Sequence, residues 1–474
     1  MSQSSRLKPL LEELRDRPDQ LVEIILRQAD QIEQQQQQLA ELKKQVRELN
    51  DKLRDLNDRN NGLSSKIEQL AKAAARQAAP FRIDEQRRVA NPKKPGRKPG
   101  HPGSCRQIPP QVDQEIFVPL PACPKCGGAV DQRRKVIQYI EELPIVRPTV
   151  IKLITEEAQC THCQEVARSA HPLQVSLAQG AAGAQLGPRA LGLAAELNKK
   201  HGLTMRRTCA VLKELFQLRL TPGGLSAALG RLARKLKPAY QNLLARLRDG
   251  PLVHSDETSW WVGGTGHWLW VFADKNTTLY RVADGRGRDV ITETIGDNFP
   301  GVLVSDCLAI YDGVNARQQK CYSHHFRAIA KALEEGPSDY LEQLKALLKA
   351  AVALKKTDLE AAQMAPLRAA LEATSHQLLS TPQTGLAEKV RVRLYKQRDH
   401  LFTFLDHAEV EATNNLAERQ LRPAVIARKI SCGNKTPEGA RTWETLTSLA
   451  ATCAQRGQSF AQLVSQAALL SYGR

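Results

Sequence analysis

Between residues 25 and 70, apolar residues recur every 3.5 positions through six heptads. With Ile32, Leu39, Val46, Leu53, Asn60 and Ile67 at position a, Gln35, Leu42, Leu49, Leu56, Leu63 and Leu70 fall at d. Ten of these twelve are apolar, and Gln, Glu, Lys and Arg flank them. A seam this narrow predicts a coiled coil over residues 20–75, as a homodimer or higher assembly. β-Branched residues at a with Leu at d favour two parallel strands, and Asn60 at an a position fixes register at some cost in stability. The competing reading is one long solvated helix lying on its own protein, but an a/d stripe needs a cover in either case. The Gln34–Gln38 run suits a helix and needs no separate function.

Lys and Arg total 68 against 50 Asp and Glu, a net charge of +18. That excess argues against an acidic solvating protein and for a polyanionic partner, either nucleic acid or an anionic membrane surface. No stretch approaches the ~18 apolar residues of a membrane span. The N-terminal MSQSSRLKPLLEELRDRPDQ is charged throughout and lacks a secretory core. A soluble, cytoplasmic chain with no membrane partner is expected, so its ten cysteines read as thiols or metal ligands rather than disulfides. The charge is densest in a linker at 80–110. Residues 82–106 hold eight Lys or Arg against Asp84 and Glu85, around NPKKPGRKPGHPG. Pro and Gly deny this segment a regular element. Its charge suits phosphate contact without base reading, and equally a flexible spacer.

Two CxxC pairs follow, Cys123–Cys126 and Cys160–Cys163. Each sets two thiolates on one tight turn, and two such knuckles supply the four soft ligands of a tetrahedral Zn²⁺ site. The long interval between them leaves room for the strands of a zinc-ribbon-like module at 111–180, with QEIFVPL and VIKLITEEA as candidate strands. A redox dithiol is the competitor, but that motif comes singly in a βαβ context. Four thiolates would already close the shell, so His162 is a poor extra ligand.

Residues 186–250 read as a helical, DNA-binding segment. From 186 to 248 there are 13 Lys or Arg against two Glu. Thr204–Leu218 reads as one helix and Thr221-Pro222-Gly223-Gly224 opens another, which fits a helix-turn-helix or an ordinary helical pair. At 251–325 the pattern changes. LVHSD, HWLWVFA, TLYRVA and GVLVSD are short strands split by Gly and Asp turns. Residues 326–405 are rich in Ala, Leu and Lys and read as a helical insertion, and helices also dominate 406–474. The expected fold class is therefore multidomain α+β.

Asp256 follows Leu252-Val253-His254-Ser255, and Asp306 follows Gly301-Val302-Leu303-Val304-Ser305. Both carboxylates are expected at the C-terminal ends of strands, where two adjacent strands would aim them at one point. Glu418, in TNNLAERQLRPAVIARK, starts a helix and offers a third. Three hard oxygen ligands with no nearby Cys or His would select Mg²⁺ or Mn²⁺ over zinc, and two such ions ~4 Å apart suit phosphodiester chemistry. Plainer readings stand beside this one. A strand-end Asp is often a turn residue. Glu418, three residues after Asn415, could be half of a capping box. Glu411 is a rival third acid, whereas Glu257 faces the other side of an extended strand.

Cys321, His324 and His325 form a C-x-x-H-H cluster. A metal site there needs a further ligand, so a packed strand end or a basic group near a scissile phosphate is the plainer expectation. Trp260, Trp261, Trp268 and Trp270 crowd one region. The spacing of Trp268 and Trp270 puts both on one sheet face, as core or as a base-stacking surface.

Taken together, HSDETSW, VSDCLAIYDG, CYSHHFRAIAKAL and TNNLAERQLRPAVIARK resemble the insertion sequence sixty-six family of bacterial DDE transposases. The resemblance also takes in the coil, the PGRKPGHPG linker, the CxxC pairs and the helices from LGPRALGL to LKPAY. It implies an RNase H-like α/β catalytic core with a helical insertion before its last acid. It also implies that Asp256, Asp306 and Glu418 are catalytic. Asn414, Asn415, Arg419, Arg422 and Lys429 share the last motif, and the resemblance suggests substrate or metal-shell support for them. Two segments depart from the family pattern: LAKAAARQAAPFRIDEQ lacks an Asn/Ser/Pro-rich stretch, and KISCGNKTPEGA is variant.

The implied function is a nucleoid-associated DNA transposase. It would use Mg²⁺ (or Mn²⁺) at the acids and structural Zn²⁺ at the cysteines. Its partners would be double-stranded DNA at the element's terminal repeats and at the target, with accessory proteins of the same element. The alternative is a non-catalytic, zinc-containing dimeric DNA-binding regulator, which needs no acids. A plain RNase H-type nuclease is a third reading.

Overall fold

The alternating run from His267 to Ala273 lies in the second strand of a five-stranded sheet in the computed structural model of the chain. The structure describes residues 185–469 apart from 358, residues 106–174 apart from 133, 170 and 172, Gly100, and a discontinuous set between 19 and 52. The chain divides into two units, residues 1–139 and 140–474.

In the first unit every described residue between 19 and 52 is helical. Leu42, Val46 and Leu49, two d positions and the a position between them, are 58%, 55% and 59% exposed. Over these residues the seam is an uncovered apolar stripe. The rest of the expected coil, residues 53–75, lies outside the described residues, as does most of the linker. Farther along, Cys123–Cys126 forms a tight knuckle. Cys123 N–H donates to Gly128 O (2.9 Å) and Gly127 N–H to Cys123 O (2.8 Å), with Gly127 at φ 72°. The expected strand at QEIFVPL is not formed, and Ile116, Phe117 and Val118 are exposed. An extended run becomes a strand only when another backbone accepts its hydrogen bonds. Pro119 removes a donor inside this run, and the prolines at 109, 110 and 121 remove donors on both sides of it.

In the second unit, β1 (Glu157–Gln159) pairs antiparallel with β2 (Val166–Arg168). The turn between them carries Cys160 and Cys163 in the same knuckle geometry. Cys160 N–H donates to Glu165 O (2.8 Å) and Gln164 N–H to Cys160 O (2.9 Å), with Gln164 at φ 60°. Only the last two residues of VIKLITEEA enter a strand, so the β content of this region is smaller than its apolar runs suggest.

Four helices follow: α1 (Pro188–Ala195), extended by a π-helical turn at Glu196–Lys200, α2 (Met205–Phe216), α3 (Pro222–Lys235) and α4 (Lys237–Arg248). Thr204 caps α2 by accepting from Arg207 N–H, and Thr221 caps α3 by accepting from Gly224 N–H, as their positions before each helix predict. The sheet comes next, with β3 (Leu252–Val262), β4 (Thr265–Ala273), β5 (Thr278–Ala283), α5 (Arg288–Ile295), β6 (Asn298–Ser305) and β7 (Asn315–Lys320). Its order is β5-β4-β3-β6-β7, antiparallel from β5 to β3 and parallel from β3 to β7.

Alternation puts Trp270 and Phe272 on one face, packed with Leu225, Leu229, Leu247 and Ile291. Leu269, Val271 and Ala273 lie on the other, packed with Ala417, Leu421 and Trp443. The four strands expected from apolar patterning all form. β7 is too polar to have been expected. Its Gln318, Gln319 and Lys320 are buried because the insertion covers that edge. Gln319 Nε2 donates to Leu401 O (3.3 Å), and Phe404 N–H donates to Gln319 Oε1 (2.9 Å).

The insertion comprises α6 (Tyr322–Leu333), α7 (Asp339–Leu354), α8 (Ala361–Ser380), α9 (Gly385–Lys396) and the one-turn α10 (Thr403–Asp406). Leu344, Leu348, Leu379, Leu394 and Phe404 build its core. The chain then returns to the sheet through α11 (Asn415–Ser431), α12 (Pro437–Gln455) and α13 (Phe460–Leu469). Helix α13 packs on α1, where a Cβ at Gly192 would lie 2.5 Å from Ala461 O, so only glycine permits that approach. After α11, Gly433 (φ 94°) lets the variant KISCGN segment lie along the tip of β3. There Asn434 N–H donates to Trp261 O (2.9 Å) and Trp260 Nε1–H to Asn434 Oδ1 (2.8 Å). Among the described residues no helix is long and apolar enough to cross a membrane.

Candidate functional site

The parallel ladder between β3 and β6 ends at the pair His254–Val304. Asp256 and Asp306 each lie two residues farther on, so the strand period returns both to the face of that last rung. Asp306 follows the last residue of β6, as its position after an apolar run predicts. Its Oδ1 accepts from Leu308 N–H (2.9 Å). Asp256 does not end its strand. β3 continues to Val262 as one arm of a hairpin, with Asp256 opposite Val271. What ends near Asp256 is the parallel pairing, because β6 stops while β4 keeps β3 extended.

Glu418 enters from α11, which crosses β3. The helix begins at Asn415 with Asn414 as N-cap, which puts Glu418 at the fourth helical position and rules out the capping-box reading. Glu411, the rival acid, is exposed on the preceding loop. Asn414 is fully buried and ties three segments together. Its Nδ2 donates to Ser255 O (2.7 Å), its Oδ1 accepts from His254 Nδ1 (3.1 Å), and its N–H donates to Cys321 Sγ (3.2 Å). Arg428 pins the far end of α11, with Nη1 on Thr258 Oγ1 (2.9 Å). Asn414 therefore holds the helix that carries Glu418 against the strand that carries Asp256.

The electrostatics follow from this crowding. Burial raises Asp256 to about 7, and the charges of Glu257, Asp306 and Glu418 add to the rise, against one hydrogen bond from Glu257 N–H. Asp306 and Glu418 thus both act on Asp256. Among the described residues none of the three acids forms an ion pair. The three half-buried carboxylates thus share uncompensated negative charge, and carboxylate oxygens are the donor type of a hard divalent cation. Burial holds His254 down to about 4, so it stays neutral beneath the site.

Several neighbours were not evident in the sequence. Lys320 ends the polar strand β7, fully buried, with Nζ 3.0 Å from Asp312 Oδ1 and 5.5 Å from the centre of the Tyr311 ring. Burial lowers its pKa, while Asp312 and Asp306 oppose the fall. A lysine at the end of a polar run after Asp306 was the available signal. The two histidines of the C-x-x-H-H cluster separate. His325 is buried in the first turn of α6 rather than at a strand end, with its ring 3.6–3.8 Å from Cys307 Sγ. His324 lies with Cys321 and Glu418, one ligand atom of each within 4.8 Å of the others.

Of the residues sharing the Glu418 motif, Asn415, Arg419, Arg422 and Lys429 are exposed along one stripe of α11 at helical spacing. A cleft of about 390 Å³ reaches Cys307, next to Asp306, and is lined by Asp312, Lys389, Arg393, Lys396 and Gln397. Arg393 Nε and Gln397 Oε1 are buried without partners at its wall. Trp270 and Trp260 are core, Trp268 lies under the Arg286 guanidinium at 4.4 Å, and Trp261 is exposed at the hairpin. In each knuckle, backbone N–H groups lower the first cysteine: those of Lys125 and Cys126 for Cys123, and those of Cys163 and His162 for Cys160.

The family model described as transposase IS66 family matches residues 183–442, which include all three acids. The uncharacterized protein y4qI of Sinorhizobium fredii is 25% identical, with 48% of this chain and 49% of that protein covered. The chain thus spans about half the length of this curated relative.

Proposed function

The chain belongs to the transposase IS66 family, and from that premise we propose that it is a DNA transposase whose active site is Asp256, Asp306 and Glu418 in an RNase H-like sheet. The observation that supports this most directly is Asp256, raised to about 7 by burial and by three neighbouring carboxylates. Charge of one sign is concentrated there at a cost in stability, which ligands for cations require and a structural ion pair does not. Mg²⁺ or Mn²⁺, held by these carboxylates, supplies activation of a nucleophilic oxygen and stabilisation of the leaving oxygen.

The chain's own residues do the rest. Asp256 and Asp306 are carried by the rigid central strands. Asn414 fixes the entry of α11, so Glu418 is positioned by the sheet rather than by a free loop. Arg419, Arg422 and Lys429 face outward on the same helix and take DNA phosphates, while Lys389, Arg393 and Lys396 line the cleft beyond Cys307 for the same backbone. The acids then serve first hydrolysis at an element end and next attack of the freed 3′-hydroxyl on target DNA. The CxxC knuckles, with thiolate-directed N–H groups, carry structural zinc, and the exposed seam of the N-terminal helix pairs two copies of the chain.

The test is Asp306→Asn in the full chain, assayed on DNA carrying the element ends with Mg²⁺. Loss of cleavage and strand transfer with DNA binding intact is expected. Retained cleavage would remove Asp306 from the chemistry and leave the DNA-binding regulator as the better reading.

A further inference from the structure

We propose that Cys321, His324 and Glu418 form a binding site for a borderline-soft divalent cation of the zinc class, distinct in ligand chemistry from the all-carboxylate site. The three ligand atoms lie within 4.8 Å of one another and come from two elements: Cys321 is the N-cap of α6 and His324 is in its first turn, while Glu418 is in the first turn of α11. Sulfur, imidazole nitrogen and carboxylate oxygen together are a zinc donor set, whereas Mg²⁺ keeps to oxygen.

Two further observations point to a ligand. The Cys321 sulfur is buried and accepts from Asn414 N–H at 3.2 Å. His324 Nδ1 is buried and has no hydrogen-bond partner, while the adjacent His325 has Cys307. An unpaired ring nitrogen in the interior is costly, and a cation ligated through Nδ1 satisfies it. Arg327 and Arg393 also face His324, and the charges of Asp306 and Glu418 oppose them.

The consequence rests on the function proposed above. Glu418 belongs to both ligand sets, so a zinc-class ion seated on Cys321 and His324 takes Glu418 from the hard-cation site and holds the enzyme off. Three protein ligands leave zinc an exchangeable position, so this state is reversible by chelation.

The experiment loads the full chain with Zn²⁺, removes excess ion by gel filtration, and counts bound zinc by elemental analysis. Wild type is expected to hold about one equivalent per chain more than His324→Gln and more than Cys321→Ser. The knuckle cysteines are the same in all three, so the difference isolates this site. His324 is only half-buried, so His324→Gln remains informative if Cys321→Ser fails to fold. Equal zinc content in wild type and His324→Gln would overturn the proposal. Asp306→Asn separates the two readings. If it keeps the additional zinc yet retains cleavage, the catalytic assignment fails and this site stands. If it is inactive while no variant differs in zinc, the site fails and the catalytic assignment stands.

Discussion

Asp256 and Glu257 are joined by one peptide bond and face opposite sides of β3, and the two sides treat a carboxylate differently. Glu257 is buried with its counter-charge in place. Arg286 donates to Oε1 through Nε (3.0 Å) and Nη2 (2.6 Å), and Tyr311 OH donates to Oε2 (2.7 Å). Burial still raises its pKa, but the hydrogen bonds from Tyr311 and Arg286 oppose the rise. On the other face Asp256 has one backbone donor and like-charged neighbours. A carboxylate that serves the fold brings its cation within the same chain. Asp256 has no such cation among the described residues.

The comparison is broken most forcefully at Asp256. Asp256→Asn is expected to lower cleavage of element-end DNA by a factor of ~10³ or more, the scale of losing a principal electrostatic contact to the reacting phosphate. The same change should raise the melting temperature of the metal-free protein at pH 8. The sign follows from linkage. A carboxyl held near 7 in the fold and near 4 unfolded penalises the folded state above pH 4, increasingly up to about 7 and then fully. The asparagine removes that penalty, so calorimetry at pH 8 and at pH 5 should show the larger gain at pH 8. A melting temperature that falls at both pH values would make Asp256 a structural residue like its neighbour.

Glu257→Gln tests the other face. It should cost ~2 kcal/mol, since charge-assisted hydrogen bonds to Arg286 and Tyr311 weaken, and urea unfolding would measure it. Mg²⁺-dependent stabilisation should survive in this variant and vanish in Asp256→Asn. Survival in both would place the cation elsewhere. The smallest effect is expected at the exposed stripe of α11. Arg422→Gln should weaken binding to all DNA sequences about equally and reduce the salt slope of log K by about 1. Binding titrations at several salt concentrations give that slope, and an unchanged slope would take Arg422 off the DNA path.

The sequence showed more of this site than of its surroundings. Apolar runs ending in Asp picked out β3 and β6 because both faces of that sheet are buried and the strands are correspondingly hydrophobic. The same logic missed β7, whose buried side chains are held by hydrogen bonds and an ion pair: Gln319 to the insertion, Gln318 to Tyr311 O and Val314 O, and Lys320 to Asp312. It overestimated QEIFVPL, where apolar side chains have no paired edge to join. Asp256 was expected at a strand end because the apolar run stops there, but a strand can continue by pairing with a hairpin partner after its second neighbour is lost. Asn414 appeared as one polar residue in a motif. That it holds β3, α6 and α11 at once depends on contacts 93 and about 160 residues away, which no local pattern reports.

That one amide also sets an order of assembly. The carbonyl of Ser255 and the ring of His254 wait for the Asn414 side chain, and the sulfur of Cys321 for its backbone N–H, all supplied by a residue that leaves the ribosome long after them. A nascent chain halted before residue 414 would leave these groups unsealed and lack its final acid. Its β3 and α6 would then lack the residue that ties them together.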